Sequence, residues 1–72
     1  MTIFANRVKA LRKSAKLTQK VLAQAVGMTE RGYQDLEYGK FNPNYDSIMK
    51  LADYFDVSAD YLLGRSDNPQ RQ

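Results

Sequence analysis

Residues 18–39 read TQKVLAQAVGMTERGYQDLEYG, and the fold turns on this stretch. Thr18 has a hydroxyl suited to capping a helix, and Val21, Leu22, Ala25 and Val26 behind it supply an apolar stripe at helical spacing. Gly27 and Met28 alone separate that stripe from a second capping residue, Thr29, so the chain must turn sharply where Gly tolerates a positive φ. From Thr29 to about Tyr38 the pattern predicts another helix, with Tyr33 and Leu36 three apart on its inner side. Gly39 ends it, being the residue type favoured just beyond a helix C-terminus. Two short helices, each with its own cap, thus meet across a two-residue turn.

Working outward toward the N-terminus, Phe4, Val8, Leu11 and Ala15 recur at steps of four, three and four, which predicts a helix over Ile3–Ala15 capped by Thr2. On the other side, Lys40 to Asn44 has the Pro and Asn content of a loop, and Pro43 disfavours helix at Asn42. Asn44 caps a fourth helix with Ile48, Leu51, Ala52 and Phe55 at i, i+3, i+4 and i+7. Ser58 starts a fifth, with Asp60 in its first turn where it complements the helix dipole; Leu62 and Leu63 close it and Gly64 ends it. Residues 65–72 hold no apolar residue to bury, so they are expected to form a flexible C-terminal tail behind a domain spanning 1–64. No sustained period-two run predicts a strand and no internal repeat is visible. The expected class is all-α, a five-helix domain.

From a length of 72 residues, neither two lobes around a cleft nor an added effector domain is expected. With no Cys and no His, the chain lacks disulfides, thiolate metal sites, the commonest zinc ligand and the usual general base. The carboxylates Glu30, Asp35 and Glu37 lie on one narrow helix without an evident pocket, so no enzyme and no cofactor is expected. No apolar run approaches the roughly 18 residues of a membrane span and no signal-peptide core is present, so the expected setting is cytoplasmic. Charge is divided along the chain. Residues 1–31 carry Arg7, Lys9, Arg12, Lys13, Lys16, Lys20 and Arg31 against Glu30 alone, whereas residues 32–64 carry Lys40 and Lys50 against six carboxylates. A basic half beside an acidic half points to a polyanion on one side, since clustered cations gain affinity by releasing counterions condensed on phosphates.

Two helices joined across a tight Gly turn form a helix-turn-helix pattern, whose second member can enter a major groove about 12 Å wide. The strings Leu17-Thr18-Gln19, Leu22-Ala23, Gly27-Met28-Thr29, Tyr33, Leu36-Glu37, Gly39-Lys40 and Pro43 belong to this pattern. With Leu51-Ala52, Phe55, Val57-Ser58 and Tyr61-Leu62, they closely resemble the Cro/cI-type, Xre-like helix-turn-helix regulators of phages and bacteria, over residues 3 to 64. The resemblance implies a lambda-repressor-like, five-helix domain that binds double-stranded operator DNA, usually as a homodimer on a palindrome. It further implies that Gln19 bonds a backbone phosphate, more weakly assisted by Lys20, and that Thr29 sets the N-terminus of the third helix close to groove and phosphates. Arg12 and Glu37 match a pair that forms a partly buried salt bridge in this family.

The base-reading residues expected on that helix are Glu30, Arg31, Gln34 and Asp35, at its front while Tyr33 and Leu36 hold its back. Arg31 is foremost, because a guanidinium can pair bidentately with guanine O6 and N7. Gln34 suits adenine or a phosphate. Glu30 and Asp35 must accept from cytosine N4 or orient a neighbouring Arg or Lys, since a carboxylate is otherwise repelled by the polyanion. Gly32 departs from the small polar residue often found there and would let the backbone approach DNA closely. Tyr38, Lys40 and Asn42 are the expected phosphate clamp after the helix.

Phe4, Tyr33, Phe55 and Tyr61 fit core or core-edge positions better than base stacking. Tyr61 and Leu63 also suit a self-complementary patch between two copies. The expected activity is therefore sequence-specific DNA binding as a transcriptional regulator, foremost a repressor. A rival is a protein-interaction module such as an antitoxin or adaptor on the same helices, and a regulatory protein partner is compatible with both.

Overall fold

The computed structural model describes residues 2–40 and 42–71. The side chain of Thr2, the expected first cap, and Phe41 in the loop lie outside the described residues. Among the described residues five helices follow in order: α1 (Thr2–Ser14), α2 (Gln19–Ala25), α3 (Glu30–Glu37), α4 (Tyr45–Phe55) and α5 (Ala59–Leu63). No strand occurs among the described residues.

Four of the five starts are fixed by side-chain caps. Thr18, Thr29, Asn44 and Ser58 each accept a hydrogen bond from the backbone N–H three residues on, at Val21, Gly32, Ser47 and Tyr61, over 2.8 to 3.1 Å. Each satisfies one of the N–H groups that a helix start leaves without an intrahelical acceptor. The ends share one geometry as well. The N–H groups of Leu17, Met28, Lys40, Val57 and Arg65 reach back to the carbonyls of Arg12, Ala23, Asp35, Ala52 and Asp60 at 2.8 to 3.1 Å, the six-to-one bond of a Schellman turn. The residue before each donor has positive φ. It is Gly at 27, 39 and 64, but Lys16 (φ 60°) and Asp56 (φ 55°) adopt the same region at a steric cost.

Phe4, Val8, Leu22, Tyr33, Leu36, Leu51 and Leu62 are the largest fully buried side chains, so every helix contributes to one core, and Ala23, Val26, Ala52 and Val57 complete it. Leu11, Phe55, Tyr61 and Leu63 pack against its edge. Three expected stripe positions are corrected. Ala15 follows the end of α1 and is exposed, and Val21 and Ala25 face outward on α2. The α2 stripe is instead Leu22, Ala23 and Val26, because a seven-residue helix makes only two turns and can bury one narrow side.

The segment after α5, expected as a flexible tail, makes several contacts with the helices. Arg7 donates from Nη1 to the carbonyls of Tyr61 (2.6 Å) and Ser66 (2.7 Å), and from Nη2 to Asp67 Oδ1 (2.8 Å), while its guanidinium lies 4.2 Å from the centre of the Tyr61 ring. Further along, the Ser58 N–H donates to the Pro69 carbonyl at 2.9 Å, and Arg71 pairs with Asp53 at 2.7 Å. Residues 65–71 therefore fold back along α5 and the end of α4. The anchorage is polar, which an inventory of apolar residues does not reveal.

Candidate nucleic-acid interface

α3 has two contrasting sides. Tyr33 and Leu36 are 0% and 1% exposed and Glu37 is buried with them, whereas Glu30 and Arg31 are exposed and Gln34 and Asp35 half-exposed. One turn of helical spacing separates Arg31 from Gln34 and Asp35, so the polar residues share a flank turned away from the core. Thr29 fixes the start of that flank through its 3.0 Å bond from the Gly32 N–H. A Cβ at residue 32 would lie 2.9 Å from Thr29 Oγ1, yet Val21, Ser47 and Tyr61 hold the same place behind the other caps with a Cβ, so the cap alone does not call for glycine.

The back of α3 is held by a buried polar cluster. Arg12 donates from Nε and Nη2 to Glu37 Oε2 and Oε1, both at 2.9 Å, and from Nη1 to the Leu17 carbonyl at 2.8 Å. The two parallel bonds match the planar guanidinium to the carboxylate and join α1 to the last turn of α3. Gln19 Nε2 donates to the same Oε1 at 3.3 Å, so the first residue of α2 is tied to this cluster too. Burial alone would push the Glu37 carboxyl up, but the donors of Arg12, the phenol of Tyr33 and the amide of Gln19 outweigh it and hold the pKa below its ordinary value. The Arg12 pKa moves up, chiefly through its hydrogen bonds to Glu37 and against the cost of burial. Tyr33 Oη is buried beside the pair and has no partner of good hydrogen-bond geometry among the described residues. Burial, then the adjacent Glu37 charge, pushes its pKa far up, so it stays neutral.

On the outer flank Asp35 Oδ1 lies 3.5 Å from Arg31 Nε and 3.6 Å from Lys40 Nζ. Asp35 thus faces two cations within the chain. Tyr38, Lys40 and Asn42 are exposed just beyond α3, and Lys20 is exposed on α2. Glu30, Arg31, Gln34, Asp35, Thr29, Tyr38, Lys40 and Asn42 therefore lie along one helix and the loop after it. Gln19 sits at its rear against Glu37. Tyr61 and Leu63 belong to α5, which packs against α1 and α4, and Arg7 covers one face of the Tyr61 ring. Arg7 carried no expected role. Its position on α1 signalled only one more basic residue, because partners 54 to 60 residues away leave no local spacing to read.

Two capped helices, the second offering a polar flank and the first bracing it across a glycine turn, define a helix-turn-helix domain. The helix-turn-helix family model matches residues 8–62, and the chain belongs to that family, the Cro/cI-type and Xre-like one. The HTH-type transcriptional regulator YobD of Bacillus subtilis (strain 168), itself uncharacterized, is 37% identical over 67 residues, covering 93% of this chain and 60% of its own length. The chain thus spans about 60% of the length of this curated relative. Among solved structures, the P22 c2 repressor in complex with a synthetic operator is similar at a TM-score of 0.78 and 27% identity, covering 86% of this chain and 94% of that one. The N-terminal DNA-binding domain of SinR from Bacillus subtilis reaches a TM-score of 0.81 at 25% identity, covering 88% and 93%. No helix among the described residues is long and apolar enough to cross a membrane.

Proposed function

We propose that this chain binds double-stranded operator DNA sequence-specifically as a transcriptional regulator, in the manner of a repressor, with α3 in the major groove. The observation that carries the reading is the contrast along α3. Tyr33 and Leu36 are anchored in the core while Glu30, Arg31 and Gln34 stand outward, in a scaffold similar to a repressor that is bound to an operator. In this reading Arg31 presents its fork to guanine, Gln34 reads adenine or grips a phosphate, and Glu30 accepts from cytosine N4. Thr29, Tyr38, Lys40, Asn42 and Lys20 face the phosphates and set orientation. Gln19 can join them through its second amide hydrogen while the first stays on Glu37.

A homodimer belongs to the same reading. Leu63 and the open part of Tyr61 form its interface, and two α3 helices then stand about 34 Å apart, one turn of DNA. The test is selection from random duplexes, followed by binding measured across a salt series, with the mass of the free protein measured in solution. Affinity should fall steeply with salt, log K declining by about 0.9 per neutralised phosphate for each unit of log salt. Arg31→Ala should relax the preference at one base pair by about 1–3 kcal/mol, whereas Lys40→Ala should weaken all sequences alike. Salt-insensitive binding, or no selected sequence at all, would overturn the proposal and favour a protein-interaction module.

A further inference from the structure

Two separate features of the fold converge on Asp35. It lies four residues after Arg31, which places the two side chains on one flank, with Arg31 Nε 3.5 Å from Asp35 Oδ1. The left-handed turn at Gly39 then brings Lys40 back over the end of α3. The Lys40 N–H donates to the Asp35 carbonyl at 3.0 Å, and Lys40 Nζ lies 3.6 Å from the same Oδ1. The Asp35 side chain is 27% exposed, against 80% for Arg31 and 60% for Lys40. The anion therefore sits behind two cations that reach past it. Nε is the Arg31 nitrogen nearest Asp35, and the largely exposed side chain leaves its two Nη groups for the bidentate arrangement a guanine edge accepts.

We propose that Asp35 is a positioning residue for sequence choice. Its carboxylate holds Arg31, the base reader, in fixed relation to Lys40, the phosphate grip, and its charge disfavours duplexes that offer the phosphate without the matching base. The inference rests on the DNA-binding reading above and replaces a direct base contact by Asp35. Ion pairs with exposed partners add little to folding, so the effect falls on choice rather than on stability. Ordering a long side chain at an interface is costly, and holding Arg31 beforehand removes part of that cost when the right base is present. A carboxylate near phosphates repels every duplex, and only the correct base returns the loss through Arg31.

The experiment measures binding to two duplexes, the selected one and a copy with the Arg31-dependent base pair inverted. It uses the wild type, Asp35→Asn, Asp35→Glu, Arg31→Ala and the Arg31→Ala/Asp35→Asn pair. Asp35→Asn should bind the inverted duplex more tightly, and the affinity ratio between the duplexes should fall roughly 2- to 10-fold. Its salt dependence should steepen by up to about one phosphate equivalent. Asp35→Glu keeps the carboxylate and should keep most of the ratio, and adding Asp35→Asn to Arg31→Ala should change the ratio no further. An unchanged ratio for Asp35→Asn, where Arg31→Ala lowers it, overturns the positioning role and leaves DNA binding standing. A further loss in the Arg31→Ala background would assign Asp35 its own base contact and overturn it likewise. So would an Asp35→Asn protein that unfolds far below the wild type, since the residue would then serve the fold. If the wild type binds neither duplex, the DNA-binding reading fails first and this inference with it.

Discussion

Replacing Glu37 by Gln strands the Arg12 guanidinium in the core. The Glu37 side chain is 1% exposed and that of Arg12 12%, so water is almost absent from one partner and scarce at the other. Gln keeps an acceptor for one of the two 2.9 Å bonds, but it sets an NH2 against a guanidinium donor in place of the other. Removing one partner of a buried pair costs about 3–5 kcal/mol; with one bond kept, and the Leu17 carbonyl still bonded to Nη1, the expected loss is about 2–4 kcal/mol. A domain of this length holds roughly 4–11 kcal/mol in all, so the variant should stay folded at room temperature but melt roughly 10 to 30 °C lower.

Thermal and urea unfolding followed by circular dichroism measure this. Acid supplies a second arm. The Glu37 carboxyl titrates lower in the folded protein than its ordinary value of 4.5, so its contribution is complete above that value and disappears as pH falls through the folded-state pKa. The gap between wild type and Glu37→Gln should therefore be constant near neutrality and close below pH 4.5. A double replacement, Arg12→Met with Glu37→Leu, removes both charges and should recover part of the loss. Equal melting temperatures at neutral pH, or a gap that ignores acid, would refute the reasoning and make the pair energetically idle.

Three further outcomes follow from the backbone and the C-terminal segment. Lys16→Gly relieves a left-handed residue at φ 60° and should raise stability by about 0.5–1 kcal/mol in urea unfolding, the steric relief exceeding the added entropy of the unfolded chain. Gly64→Ala meets both a φ of 80° and Ile3 Cγ2 at 2.7 Å from the new Cβ, and should lose about 1–3 kcal/mol in the same assay. Arg7→Ala removes the anchor of residues 66 and 67, so the Ser58 amide, bonded to Pro69, should exchange with solvent about tenfold faster, the equivalent of about 1.4 kcal/mol of opening energy. Unchanged exchange at Ser58 would show the segment to be held by its other contacts.

The helix starts were legible because Thr18, Thr29, Asn44 and Ser58 stand immediately ahead of their helices, and a cap is a local event. The glycine ends at 27, 39 and 64 were legible for the same reason. The turns at Lys16 and Asp56 were not, because Lys rarely adopts a positive φ and Asp does so only occasionally, so neither marks a helix end as Gly does. Val21 and Ala25 were misplaced because a two-turn helix buries one narrow side, which Leu22, Ala23 and Val26 fill, and a run of adjacent apolar residues does not mark which of them turns inward. The exposed flank of α3 could be read from the position of Tyr33 and Leu36, since anchoring one side of a helix frees the other. The contacts within the site were less accessible. The i,i+4 spacing of Arg31 and Asp35 lay in plain sight, but the arrival of Lys40 at the same carboxylate depends on the Gly39 turn. Gln19 bonds Glu37 across a separation of 18 residues, and no local pattern encodes that contact.

Docking through α3 is tested most directly by following the backbone amide resonances of the labelled protein as its selected duplex is added. The largest changes should fall at residues 29–35 and 38–42, with smaller ones at 18–20 and little change on the acidic surface of α4 around Asp46 and Asp53. Changes concentrated on α4 and α5, with the α3 amides unmoved, would contradict the assignment of α3 as the reading helix.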